Sequence, residues 1–511
     1  MCCFSRNAQP AAMSSSPRIP QLLQQAVALH QRGSQAQAET LYGEVLRLDP
    51  ANFDALHLLG VIARQAGAAD DAIRLIGQAI AVDGGKAIAH CNLGAALQDA
   101  RRHEEALASF NRALALQPRY PMALANRGNA LRRLGRLHEA LADYDAALAL
   151  QPAYVEALCN RGLVLHQLGR PEQALDSYGQ ALSAAPGHSP SYAGAAVTLQ
   201  SLGRYDEAVE TYRNAIEADP DHAAAWSAYG TLLLRLGDSQ HALDCHQRAL
   251  ALKPGDAQVH LHYANALRAL NQHDAAITAY RDALACGADA DAVAFHLAAL
   301  GAQPAPAAPP APYVAALFDQ YADGFDQHLQ QVLHYRVPGL LMDALAGRLH
   351  GGLLDVIDLG CGTGLCGPLL RSHARALVGV DLSPQMLEQA LRRGVYDELA
   401  CADIAAALQG RSADVLVAAD VLVYLGDLQP LFRAVRKALR AGGVFAYSVE
   451  AQQGEGDYVL RSSGRYAHTA RYLHALAQAH GLTVDSLAMQ TLRQDAGADV
   501  AGYITVLSRN P

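Results

Sequence analysis

A unit of 34 residues, typified by "LGRLHEALADYDAALALQP" at residues 134–152, dominates the first three hundred residues. It starts at Ile19 and recurs at Phe53, Ala87, Pro121, Val155, Ser189, Ala223 and Ala257, with no insertion or deletion between copies. A strict period of this length means that each copy is one small unit that buries its apolar face only against its neighbours. Position 20 of the unit is always alanine: Ala38, Ala72, Ala106, Ala140, Ala174, Ala208, Ala242 and Ala276. Position 8 carries Gly60, Gly94, Gly128, Gly162 and Gly230, and position 24 mostly a large ring, such as Phe110, Tyr144, Tyr178, Tyr212 or Tyr280. Small residues let two antiparallel helices approach closely, and the rings fill the space that remains. Pro50, Pro118, Pro152, Pro186, Pro220 and Pro254 end the second helix, because proline cannot continue the hydrogen-bond ladder.

The 34-residue pattern resembles tetratricopeptide (TPR) repeats over about residues 19–288. That resemblance implies about eight repeats, sixteen helices in an all-α solenoid, a right-handed superhelix and a concave face free to bind. Trp226, the only tryptophan, falls at position 4 and reads as packing. Asn92, Asn126 and Asn160 at position 6, with Asn129 and Asn265 at position 9, are expected to face inward. The repeats resemble those of O-linked N-acetylglucosamine transferases, which clamp peptide backbone with such an asparagine ladder. An amide offers one acceptor and two donors, so it pairs with extended backbone without reading its sequence. The expected partner is therefore a protein or peptide on the concave face; the alternative is that these are solvated helix positions. "DAVAFHLAALG", Asp291 to Gly301, reads as a capping helix, and the uncharged "AQPAPAAPPAP" after it as a semi-rigid spacer.

A chain of 511 residues is expected to divide into at least two domains. The reading is a tail at 1–18, a solenoid with its cap at 19–300, a Pro/Ala linker at 301–312 and a second domain at 313–511. A formal charge of −9 argues against nucleic acid or an anionic membrane as the dominant partner. No run of eighteen apolar residues is present, and the N-terminus lacks a signal-peptide core. Nine cysteines without disulfide-framework or zinc spacing suit a reducing compartment. The expectation is a cytoplasmic protein with no membrane span and no metal. Cys2 and Cys3 are read as part of a disordered tail rather than a lipidation site, and translation from Met13 is an alternative start.

From Gly351 onward, apolar runs of about five residues alternate with amphipathic stretches, the pattern of a parallel sheet covered by helices. The expected strands are "LLDVIDLG", "ALVGVDLS", "DELACADI", "ADVLVAAD" and "GGVFAYSVE". A helix, "HTARYLHALAQAHG", follows, and then "LTVDSLAMQ" and "GYITVLSR" with no helix between them, expected as an antiparallel hairpin at a sheet edge.

"VIDLGCGTGLCG", Val356 to Gly367, matches two nucleotide-binding patterns at once. Gly360, Gly362 and Gly364 let backbone approach a ligand closely, and Asp381 about twenty residues on suits ribose hydroxyls in either case. Asp358 places a carboxylate where a pyrophosphate needs positive or neutral surroundings, whereas a ligand with an ammonium and a sulfonium is favoured there. Asp403, at the end of the third strand, suits an adenine amino group. Three acids after three strands, plus the hairpin, favour the sulfonium cofactor over a dinucleotide; helix capping is a credible reading of any one acid but a poor one of all three together.

With those residues in view, residues 313–511 resemble the class I S-adenosyl-L-methionine (SAM)-dependent methyltransferases, an α/β Rossmann-like fold with a C-terminal antiparallel hairpin. The resemblance is strongest to predicted TPR-containing methyltransferases related to quinone-biosynthesis C-methyltransferases, through "LFDQYADGFDQHLQQVLHYRVP", "DVLVYLGDL" and "SGRYAHTARYL". It implies that Asp358, Gly360, Gly362 and Gly364 contact the methionine part, Asp381 the ribose, and Ser383 and Met386 the ribose and adenine side. It further implies Asp403 and Ile404 at the adenine, Ala419 and Asp420 beside the sulfonium, Tyr321 and Tyr335 closing the mouth, and Arg336 on the methionine carboxylate. The Asn-Pro-Pro-Tyr motif of amino-methylating enzymes is absent; Asp420, Val421 and Leu422 stand there instead.

Methyl transfer is an in-line displacement in which alignment supplies most of the catalysis, and a base is needed only if the nucleophile must lose a proton. Tyr424, Tyr466 and His468 are the candidates on the acceptor side, with His328 behind them. The acceptor, small molecule or protein, stays open. A scaffold with a degenerate or regulatory SAM-binding domain is the alternative function, and a dinucleotide oxidoreductase the third.

Overall fold

The computed structural model describes residues 18–510, apart from Asp323, His328, Gln331, Val332, His350, Gly351, Gly352 and Ala496 and the side chain of Gln320. Residues 1–17 of the expected tail, with Cys2, Cys3 and Met13, and the candidate His328 lie outside the described residues, while Arg18, expected in the tail, opens the first helix.

First helices of the repeats begin at Phe53, Ala87, Pro121, Val155, Ser189, Ala223 and Ala257, the positions given by the period, and the first of all at Arg18. The eight position-20 alanines are fully buried. The position-24 side chains are also buried, from Tyr42 and Ile76 through Phe110 to Tyr280. The fit between helices is tight enough that a Cβ on Gly94 would lie 2.6 Å from the Phe110 ring, and one on Gly162 2.8 Å from the Tyr178 ring. In those two repeats glycine at position 8 is thus a packing requirement. Trp226 is half-buried and donates its ring N–H to the Pro220 carbonyl at 2.9 Å.

The chain divides into two compact units between Thr198 and Leu199, so the last repeats belong to the same unit as the sheet. Within that unit the capping helix, Ala290–Ala299, starts on Asp289, whose carboxylate accepts from the Ala292 N–H. Its Phe295, Ala298 and Ala299 pack with Leu460 and Tyr466. The segment read as a spacer is bound: Pro306 accepts from the Tyr466 hydroxyl at 2.7 Å, and Ala307 from the N–H groups of Gly426 and Asp427 at 2.8 and 3.2 Å. The Arg268 guanidinium, in the last repeat, donates to the Ser462 carbonyl at 2.5 Å. A proline run read in isolation shows stiffness, but carries no sign of what its carbonyls will meet.

The sheet comprises β1 (Leu354–Leu359), β2 (Ala374–Asp381), β3 (Glu398–Cys401), β4 (Ala413–Ala418), β5 (Leu439–Ala451), β6 (Tyr458–Leu460), β7 (Tyr466–His468), β8 (Leu482–Asp495) and β9 (Ala498–Arg509). Strands β3, β2, β1, β4 and β5 run parallel in that order. β9 pairs antiparallel with β5 and β8 with β9, which makes the expected hairpin. β6 and β7, absent from the sequence reading, extend the far end of β5. Both faces of the parallel strands are covered, as their near-continuous apolar sequences require. Ile357, Leu416 and Phe445 pack with the helices Gln429–Ala438 and Ala470–Ala479, while Val356, Val415 and Val444 pack with Val337–Leu345. No helix among the described residues is long and apolar enough to cross a membrane.

Candidate functional site

A cavity of about 350 Å³ opens where β1, β2, β3 and β4 end. Gly360 and Gly362 line it just after β1, with φ of +67° and +54°. A Cβ on Gly360 would come within 2.5 Å of Val421, so only glycine lets the loop pass the segment that follows β4. Asp358, Asp381, Met386, Asp403, Ile404, Ala419, Asp420, Tyr321, Tyr335 and Tyr424 also line the cavity.

The four aspartates are held differently. Asp358 is 1% exposed; one carboxyl oxygen accepts from the Tyr396 hydroxyl at 2.7 Å, and Oδ1 has no partner among the described residues. Burial pushes its carboxyl up to about 7, with Asp381 adding to the rise and Tyr396 opposing it. Its charge at neutral pH is therefore conditional on a cation beside it. Asp381 accepts from the N–H groups of Gly362 and Ser383, both at 2.9 Å, and burial raises its pKa against those bonds. Asp403 caps the next helix, accepting from Ala405 and Ala406 N–H through Oδ1 at 2.9 Å. Capping and lining the cavity are thus compatible roles. Asp420, with φ +56° and its N–H on the Ser448 hydroxyl, meets the fully buried Arg493 through both oxygens, at 3.0 and 3.1 Å.

Several expected residues lie off the cavity. Gly364 shapes the turn, with its N–H on the Cys361 carbonyl, and leaves room for the Tyr396 ring. Gly367 opens the following helix, Gly367–Arg371. Ser383 is buried as a helix cap; its hydroxyl accepts from Met386 N–H at 3.1 Å and donates to Asp319 at 2.5 Å. Arg336 is exposed and gives its backbone N–H to Leu492. Tyr466 spends its hydroxyl on Pro306. His468 is fully buried, with Nε2 3.1 Å from the Gly426 carbonyl, and burial lowers its pKa to about 4. It stays neutral in the core, because β7 turns it inward.

Four of the five asparagines have local partners. Asn129 and Asn265 accept from the hydroxyls of Tyr144 and Tyr280, at 2.5 and 2.6 Å, within their own repeats. Asn92 reaches His57 at 2.9 Å and Asn126 the Cys91 sulfur at 3.9 Å, each one repeat back. Asn92, Asn126 and Asn160 are half-buried.

Residues beyond the sequence reading complete the site. Leu317, Phe318, Phe325, Leu329 and Leu333 form an apolar wall, and Ala308 and Pro309 of the bound proline segment extend it. The wall is tied down by acids. Asp319 accepts from Ser383, and Asp326 from the Thr363 hydroxyl at 2.5 Å and from Arg393. Two aspartates seven residues apart were the sequence signal, but their partners lie far along the chain. Arg465, in the β6–β7 turn, also lines the cavity. Burial works to lower its pKa, but Tyr424, Asp420 and Glu450 together hold it raised.

Residues 357–447 match the family described as "Methyltransferase domain", and residues 23–88, 87–120 and 118–287 match families described as "Tetratricopeptide repeat". The malonyl-[acyl-carrier protein] O-methyltransferase of Enterobacter lignolyticus (strain SCF1) is 32% identical over 184 residues, 35% of this chain and 71% of that protein. Methyltransferase-like protein 27 of Homo sapiens is 42% identical over 87 residues, 16% of this chain but only 34% of that protein's length. Among solved structures, the APC/C hetero-tetramer Cut9-Hcn1 aligns with a TM-score of 0.42 at 20% identity, covering 52% of each chain.

Proposed function

We propose that this chain, which belongs to the methyltransferase family and carries tetratricopeptide repeats ahead of its methyltransferase domain, transfers a methyl group from S-adenosyl-L-methionine to an acceptor, with the repeats recruiting a protein or peptide. The observation that carries the reading is the buried Asp358 Oδ1, unpartnered among the described residues and facing the cavity beside the glycine loop. A buried polar atom without a partner is costly, and the cofactor's ammonium is a donor of the right charge. Asp381, already oriented by two backbone N–H groups, keeps lone pairs for ribose hydroxyls. Met386, Leu382 and Ile404 offer apolar faces to an adenine, and Asp403 offers the oxygen that its helix does not use.

When bound, SAM supplies a methyl carbon activated by positive sulfur. The chain's own part is to fix that group and the acceptor in line, which is where proximity does most of the work. Phe318, Tyr321, Phe325 and Tyr335 keep water from the reacting end. On the repeats, Asn92, Asn126 and Asn160 remain the candidates for peptide backbone.

Titration calorimetry of the full chain tests the reading. SAM is expected to bind and a nicotinamide dinucleotide to give no heat, while labelled methyl passes from the cofactor to components of a cell lysate. An intact chain that binds no SAM would sink the proposal. Binding without any transfer would favour the scaffold reading.

A further inference from the structure

The cavity's apolar wall includes the helix Ala311–Tyr321, whose Ala311, Val314, Leu317, Phe318 and Tyr321 face the cavity at helical spacing. A helix of eleven residues is marginal in water by itself, so its place depends on what grips its ends. Both grips come from the repeats and their cap. At the start, the Tyr313 ring packs 5.6 Å from Phe295 and lies edge-on to His296 at 5.3 Å, and His296 stacks on Tyr280 of the eighth repeat at 4.8 Å. At the end, the Arg235 guanidinium of the seventh repeat lies over the Tyr321 ring, 5.2 Å from its centre. The sixth repeat meets the turn that follows. The Tyr205 hydroxyl lies so close to Gly324 that a Cβ there would be 2.7 Å from it, and a Cβ on Gly203 would collide with the Gln327 amide. Gly33, Gly67, Gly135, Gly169 and Gly237 stand at the same turn position of other repeats, and each has open space before it. No other repeat has a tyrosine where Tyr205 stands.

From Tyr321 the contacts pass inward. Its ring meets Phe325 edge to face at 5.5 Å, and a Cβ on Gly362, in the glycine loop, would lie 3.9 Å from the Phe325 ring. Asp326 accepts from the Thr363 hydroxyl next along that loop. Arg235 does not itself line the cavity, so whatever it does there it does through Tyr321. Resting on the methyl-transfer reading above, we propose that Arg235 is a positioning residue of the cofactor site: it holds Tyr321 over the cavity's mouth, so that the site is complete only with the repeats that precede it. A cation over an aromatic face fixes the ring in place. A wall held in place lengthens the stay of the ligand behind it, and contacts of this kind act mainly on the dissociation rate. The last repeats are thereby part of the methyltransferase's binding site as well as a surface for a partner.

The test follows labelled S-adenosylhomocysteine as it leaves the full chain. Arg235→Gln should speed its release by about three- to tenfold, the range of losing one partly buried cation–π contact, and Arg235→Lys, which keeps a cation, should restore part of the difference. Tyr321→Leu should also speed release. Adding Arg235→Gln to it should change little more, because both substitutions remove the same contact. Arg133→Gln, at the matching position of the fourth repeat, should release at the wild-type rate. In the ligand-free chain, amide hydrogen exchange across residues 311–322 should quicken in Arg235→Gln and not in Arg133→Gln. An unchanged release rate in Arg235→Gln would overturn the proposal. So would effects of Arg235→Gln and Tyr321→Leu that add in full, or an equal change in Arg133→Gln, since either would make Arg235 a structural residue of the repeats alone. If the wild-type chain binds no S-adenosylhomocysteine, the methyl-transfer reading falls. Quickened exchange in Arg235→Gln would then still support the clamp on the helix, and unchanged exchange would overturn that as well.

Discussion

Eight alanines at position 20 of the repeats and four aspartates at the strand ends are both sets of one residue type at recurring places. In the repeats the same residue does the same work each time: every one of the eight is fully buried between two helices. At the cavity it does not. Asp358 shares a tyrosine hydroxyl, Asp381 ties down the glycine loop, Asp403 caps a helix and Asp420 answers a buried arginine. Periodic structure assigns a role by position in the unit. A sheet's edge assigns it by neighbours brought from elsewhere in the chain.

The largest expected effect follows from uniqueness. Asp358→Asn should cost SAM affinity roughly a hundredfold, the scale of removing one partner from a buried charge pair. The wild type should bind more tightly as pH rises through about 7, because only the ionised carboxylate attracts the ammonium; the variant's affinity should be flat there. Calorimetry at several pH values checks both, and equal pH slopes would remove Asp358 from the cofactor's ammonium.

Redundancy predicts a purely structural cost in the repeats. Ala140→Leu should destabilise the folded state by about 1–3 kcal/mol through overpacking and leave SAM binding untouched, as thermal melting and calorimetry would show. A matching loss of SAM binding would mean that the two kinds of region are not separable in this way.

His246 sharpens the comparison from within the repeats. It occupies position 24, where its neighbours have rings without a titrating nitrogen, and neither ring nitrogen has a partner among the described residues. Burial, then His262, lowers its pKa from 6.5 to about 3. A lowered histidine pKa means that the unfolded state binds the proton more readily. Stability is therefore full above about 6.5 and is lost as pH falls towards 3. His246→Tyr, the residue found at Tyr212 and Tyr280, should remove a loss on the order of 1–2 kcal/mol between pH 7 and pH 5, read from denaturant midpoints at the two pH values. The smallest effect belongs to Asn129→Ala, about 1 kcal/mol from the orphaned Tyr144 hydroxyl. Adding Tyr144→Phe should recover most of it.

The same contrast explains what could be read from the sequence. Helix starts in the repeats were legible because eight copies vote on each boundary, and the glycine loop because its spacing is local. The ties that shape the cavity join residues far apart, such as Asp319 to Ser383, Asp326 to Arg393 and Asp420 to Arg493. No local pattern announces them. His468 went astray for a related reason: β6 and β7 have three residues each, too few to show a period of two, and their pairing turns the histidine into the core.

The bound proline segment limits how such a chain can be recombined. Pro306 and Ala307 are held by the sheet domain, and Ala308 and Pro309 are already cavity wall. A chimera spliced at the proline run would exchange part of the cavity wall along with the repeats. The gene boundary that looks like a hinge between cassettes is a shared wall, and a functional transplant has to carry the capping helix and the prolines with the methyltransferase.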